Sequence, residues 1–158
     1  MITTDELTDM LRRNLVVLEQ QAKGLTHEES AMQLPFRGNC FNWIAGHLIV
    51  HRDKMLKAMN AVPLWDEAKT ARYDRESPPI TSLEDALPFE SLMADLRQSQ
   101  GMLAAALAAQ TDDMLDAMQP DGRRTLRGRL LFLAWHETYH VGQTELLRQL
   151  TGVNDKVI

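Results

Sequence analysis

The segment from Arg129 to Leu150 reads RLLFLAWHETYHVGQTELLRQL and constrains the fold more than any other part of the chain. It carries His136 and His140, four residues apart. On an α-helix that spacing stacks both imidazoles on one face, about one turn apart. Leu130, Leu133, Ala134, Val141 and Leu147 surround them with apolar side chains, so the helix is expected to be well packed. A polar ring on a buried face needs a partner, and two side by side need one more. A single metal ion, ~2.0–2.1 Å from each nitrogen in a zinc-like site, satisfies both. Two half-exposed surface histidines are the other reading of the pair. The local string HETYH also matches the H-E-x-x-H pattern of zinc proteases, with Glu137 as the general base.

The rest of the chain says what that helix packs against. At 158 residues, with 44% apolar and 25% charged side chains, residues 1–158 suit one soluble domain with a sizeable core. A net charge of −5 gives no basic balance for nucleic acid or an anionic membrane. No apolar run approaches the ~20 residues of a membrane span. The polar, acidic start MITTDELTDM does not read as a signal peptide, and the lone Cys40 excludes an internal disulfide. A cytoplasmic location is expected by elimination.

Thr3 or Thr4 caps a first helix, with Asp5 and Glu6 in its first turn. Leu7, Met10, Leu11, Leu15, Leu18 and Ala22 form its apolar face, and Gly24 ends it. Thr26 and Glu29 spell a capping box for a short helical turn, in which His27 is read as exposed and without a role. Asn39 is the expected cap of a second helix running to about Asn60. His47 lies on its apolar stripe, beside Gly46, which costs roughly 1 kcal/mol of helix propensity. Such a glycine often allows close approach of another backbone or ligand. His51 follows one turn later, lining a pocket or simply packed. Cys40, seven residues before His47, shares its face if the helix already includes it. From there the thiol either attacks or ligates at a pocket mouth, or is an inert buried residue.

Residues 61 to 82 read as a long polar connection, far beyond the ~2–8 residues of ordinary helix–helix turns. It is long enough to cross a bundle, so helices two and three are expected to run parallel, with antiparallel neighbours elsewhere. It is also a candidate lid. Ser82 with Asp85 resembles a capping box near the start of the third helix, whose face is Leu92, Leu96, Ser99, Leu103, Ala106 and Leu107. Thr125 caps the fourth. Arg123, Arg124, Arg127 and Arg129 crowd its start, where cations oppose the helix dipole. They form either a solvated turn or a site for an anionic substrate. With no β pattern, the expected fold is all-α, a four-helix bundle with a long crossover between helices two and three.

Three histidines then face one core: His47, His136 and His140. Three neutral ligands plus an open position make a catalytic metal site, where a bound thiol or water is acidified. Gln143, one turn past His140, is placed to hydrogen-bond behind a ligand. The protease reading fares worse. Glu145, five residues past His140, points roughly 140° away from it, and no strand is expected to hold a peptide.

The strings NWIAGHL in helix two and HETYHVGQTELLRQLTG at the C-terminus resemble the DinB superfamily of DNA-damage-inducible and YfiT-like metalloproteins. The resemblance covers nearly the whole chain in length and helix order. It implies a divalent metal on His47, His136 and His140, nickel or zinc first, manganese or iron next. It implies a small-molecule substrate, with a low-molecular-weight thiol as partner in a transferase reaction, and a homodimer. A hydrolase is the related enzymatic reading. A non-catalytic, metal-stabilised binding protein and a metal-free bundle with a polar core remain as alternatives.

Overall fold

The computed structural model describes residues 2–157. Four long helices form the frame: α1 (Thr4–Ala22), α3 (Phe41–Ala58), α5 (Phe89–Ala108) and α7 (Leu126–Leu150). Three short ones sit in the connections: α2 (His27–Ser30), α4 (Glu67–Tyr73) and α6 (Asp112–Asp116), with a 3₁₀ turn at Leu83–Asp85. Among the described residues there is no strand, and no helix is long and apolar enough to cross a membrane.

Local chemistry sets most helix ends. Thr3 and Glu6 close one capping box, Thr26 and Glu29 a second. The Thr125 hydroxyl accepts from Gly128 N at the start of α7. Gly24, at φ 80°, turns the chain after α1 in a region that favours glycine. The expected cap at Asn39 is displaced by one residue. Cys40 occupies the N-cap, with extended backbone and no side-chain capping bond. Ser82 caps only the 3₁₀ turn, and α5 starts afresh after Pro88. His27 is half-buried rather than exposed.

Each long helix has two neighbours. α1 packs on α5 and α7, and α3 packs on the same two. α3 and α5 run parallel, as expected of a crossover. Phe41 and Phe89, near their starts, meet edge-on at 5.2 Å, while Met55 and Leu56 share a core cluster with Leu103 and Leu107 near their ends. A second parallel pair was not anticipated. Arg127, at the start of α7, donates to Ile2 O, and Arg148, near its end, donates to Gln21 O, so α1 and α7 also run the same way. The bundle is therefore up, down, down, up.

The connection between α3 and α5 is not a loose polar lid. Trp65, Tyr73 and Ile80 drop from it into the core. Asp53, buried on α3, accepts from the backbone N–H groups of Leu64 and Trp65 at 2.7 and 2.9 Å and pins its near end. Burying three large apolar side chains offsets part of the entropy of ordering so long a segment.

At mid-bundle a buried polar junction ties all four helices. Arg52 on α3 forms a bidentate pair with Glu137 on α7, both bonds 2.9 Å. Its other donors reach Leu96 O and Ser99 Oγ on α5 and Leu11 O on α1. The five guanidinium N–H groups thus meet five acceptors, the condition for burying such a charge.

Candidate metal centre

Two helices bring the histidines together. His136 and His140 project from α7 one turn apart, and His47 faces them from antiparallel α3. His136 Nε2 stands 3.0 Å from His140 Nε2 and 3.3 Å from His47 Nε2. Among the described residues these three are the group of potential ligands whose donor atoms converge, all within 4.8 Å of one another.

The second nitrogen of two of the rings is held from behind. His47 Nδ1 donates to the carbonyl oxygen of Tyr73 at 2.8 Å, and His140 Nδ1 donates to Gln143 Oε1 at 2.7 Å. Each bond places the proton on Nδ1 and leaves a lone pair on Nε2. Two lone pairs therefore aim at His136 Nε2, which has at most one proton to give. Without a further cation, one of these close approaches sets lone pair against lone pair. Nitrogens bound tetrahedrally to a single ion at ~2.0–2.1 Å are about 3.3–3.4 Å apart. The donor set and its spacing fit a divalent metal with affinity for imidazole.

Burial favours the neutral form of the three rings. His47 is 2% exposed, and loss of solvent, with the neighbouring histidines adding to it, pulls its pKa to about 4. Burial also lowers His136 and His140. The rings are braced by stacking: Trp43 on His47 at 4.5 Å, and His51 on His136 at 4.2 Å. His51 is not among the converging donors. It is a buried brace whose Nδ1 has no protein partner and whose pKa burial depresses to about 2.

Tyr73 is the participant that sequence reasoning missed. It lay in a stretch read as a polar connection. Its ring rests on Gly46, so closely that a Cβ there would come within 2.2 Å of Tyr73 Cδ1. Its hydroxyl donates to Asn42 Oδ1 and accepts from Leu87 N, which locks it in place. Gly46 was the available signal, since a glycine inside an apolar helix beside a histidine marks a close approach.

Two candidates do not join the site. Glu137 is fully buried, and both carboxylate oxygens are engaged by Arg52, with Asn14 Nδ2 adding a contact at 3.3 Å. One residue past His136, it points about 100° round the helix into the core. Its carboxyl group is committed to Arg52. Cys40 is fully buried at the α3 N-cap rather than on the helix face with His47, and burial pushes its thiol pKa up. That is the opposite of an activated nucleophile.

Beside the ligands a cleft of about 440 Å³ opens between the segment Leu34–Asn39 and α7, with Tyr139, His140 and Gln143 on its wall. The centre is thus half open on one side and packed on the other.

A four-helix bundle with one histidine on its second long helix and an H-x-x-x-H pair on its last defines a class of helical bundles with a candidate three-histidine metal site. The chain belongs to the DinB superfamily, whose family model matches residues 10–144. Among solved structures, a conserved protein from Enterococcus faecalis has the same fold, with a TM-score of 0.76 over 97% of this chain and 99% of that one, at 19% identity. Likeness at that identity speaks to the fold alone. No curated protein matches the sequence.

Proposed function

We propose that the protein is a divalent-metal-dependent enzyme acting on a small molecule, either transferring a thiol to an electrophile or hydrolysing its substrate. The observation that carries this reading is the convergence of three neutral imidazole Nε2 atoms beside an open cleft. A divalent ion bound there, nickel or zinc by preference, supplies a Lewis acid that lowers the pKa of a coordinated thiol or water. The chain's own residues do the rest. Tyr73 O and Gln143 Oε1 hold two ligands in the tautomer that presents Nε2. Trp43 and His51 fix ring orientation, and the packed side of the bundle excludes water. The cleft along Tyr139, His140 and Gln143 receives the substrate. A cytoplasmic homodimer is part of the same reading. The peptidase alternative lacks its base, because Glu137 is committed to Arg52.

Elemental analysis of tag-free protein, purified without chelators, tests the centre. The expected result is about one divalent metal per chain in the wild type and none in His136→Ala. Turnover of electrophiles with low-molecular-weight thiols then separates an enzyme from a metal-stabilised binding protein. Failure to take up nickel, zinc or manganese after reloading would sink the reading.

A further inference from the structure

Arg129, Phe132, His136, His140 and Gln143 follow one another at three- and four-residue steps, so they form a single stripe along α7. The lower end of that stripe is a second cleft, also about 440 Å³, on which Arg123, Arg124 and Arg129 converge with Gln119 and Asp121. Of the four arginines at the start of α7, Arg127 is consumed internally by Asp112, Asp116 and Ile2 O. The other three face this cleft against a single carboxylate, Asp121, whose Oδ2 is 3.7 Å from Arg129 Nη1. Arg129 Nε is shielded from solvent and has no protein partner.

The cleft is preformed. Gln119 N donates to Arg124 O and Leu126 N donates to Ala117 O, closing the turn that presents Arg123 and Arg124. Arg123 N bonds Asp121 Oδ1, and Gly122 supplies the positive φ of 66° that the turn needs. The Arg124 guanidinium lies 4.3 Å over the Phe132 ring, and that ring is 6.4 Å from His136. Phe132 therefore walls both the arginine cleft and the histidine cluster. Three guanidiniums in a chain of net charge −5 are a local reversal of sign. Their planar donor forks suit carboxylate and phosphate oxygens.

We propose that this cleft is the anion subsite of the metal centre, and that the substrate or its co-substrate is a small molecule bearing a carboxylate or phosphate at one end and its reacting group at the other. Resting on the metal reading above, it sets the span between the two groups. Arg129 and His136 are two helical turns apart, on the order of 10 Å.

The test titrates metal-loaded and metal-stripped protein with glutarate, and separately with methyl phosphate, at constant ionic strength. Arginine Nε–H NMR signals report the site. Saturable shifts at Arg124 and Arg129 are expected in both forms of the protein. Affinity should be roughly tenfold weaker or worse in the Arg124→Gln/Arg129→Gln variant, whose metal content is unchanged. The preferred probe distinguishes carboxylate from phosphate. No saturable response, a response unaltered in the variant, or one that vanishes on stripping the metal would overturn the subsite. Elemental analysis of the same samples keeps the readings apart. Bound metal without an anion response defeats only the subsite, and an anion response without bound metal defeats only the centre.

Discussion

A methyl group added at Gly46 would stand 2.2 Å from Tyr73 Cδ1, with two more ring carbons within 2.6 Å. Gly46→Ala should raise helix propensity by about 1 kcal/mol, yet overpacking typically costs ~1–3 kcal/mol. The expected net result is a lower urea midpoint and weaker metal retention, because Tyr73 O is the anchor of His47. An unchanged midpoint would mean that the ring moves freely. The same histidines give a pH dependence in metal-stripped protein. His47 and His51 are held neutral, at about 4 and about 2, below the ordinary 6.5. Between pH 6.5 and 4 the unfolded chain takes up protons that the folded chain refuses. Stability is therefore full above pH 6.5 and falls as the solution is acidified, by up to about 1.4 kcal/mol per pH unit for each ring. Denaturant midpoints from pH 7.5 to 5 check this, and His51→Asn should flatten the slope.

The helices are held in register by a buried ion pair, Arg52 with Glu137. Truncating Glu137 to alanine strands the Arg52 charge in the core, and a cost of about 3–5 kcal/mol is expected. The Arg52→Met/Glu137→Leu double variant, which removes both charges, should be more stable than Glu137→Ala. Chemical denaturation of the three proteins measures the difference, and a double variant no better than the single one would refute the pairing argument. The crossover teaches a related lesson. Its length suggested a lid and its residues read as polar, but Asp53 and the buried Trp65, Tyr73 and Ile80 make it part of the core. A few large side chains outweigh a polar average, because burial is decided side chain by side chain.

For the bundle as a whole, the proposed metal site links metal binding to folding. A ligand that binds only the folded state at a thousand times its Kd adds about 4 kcal/mol. Chelation should therefore lower the Tm of the wild type, and nickel or zinc should restore it. His47→Ala should respond to neither. A wild-type Tm indifferent to chelator and metal would argue that the histidines only fill a polar interior. The four long helices, most caps and the His136–His140 pair were legible in the sequence, because each depends on residues within a turn or two of one another; the short α4, inside the connection, was not. The parallel crossover followed from linker length. The second parallel pair, α1 with α7, did not, since chain order does not say which helices become neighbours. The meeting of His47 with His136 joins residues 89 apart in the chain, and the Arg52–Glu137 bond spans 85. Periodicity tells which side of a helix is buried. Only packing decides what it is buried against, and so made Glu137 a partner of Arg52 and Tyr73 the support of His47.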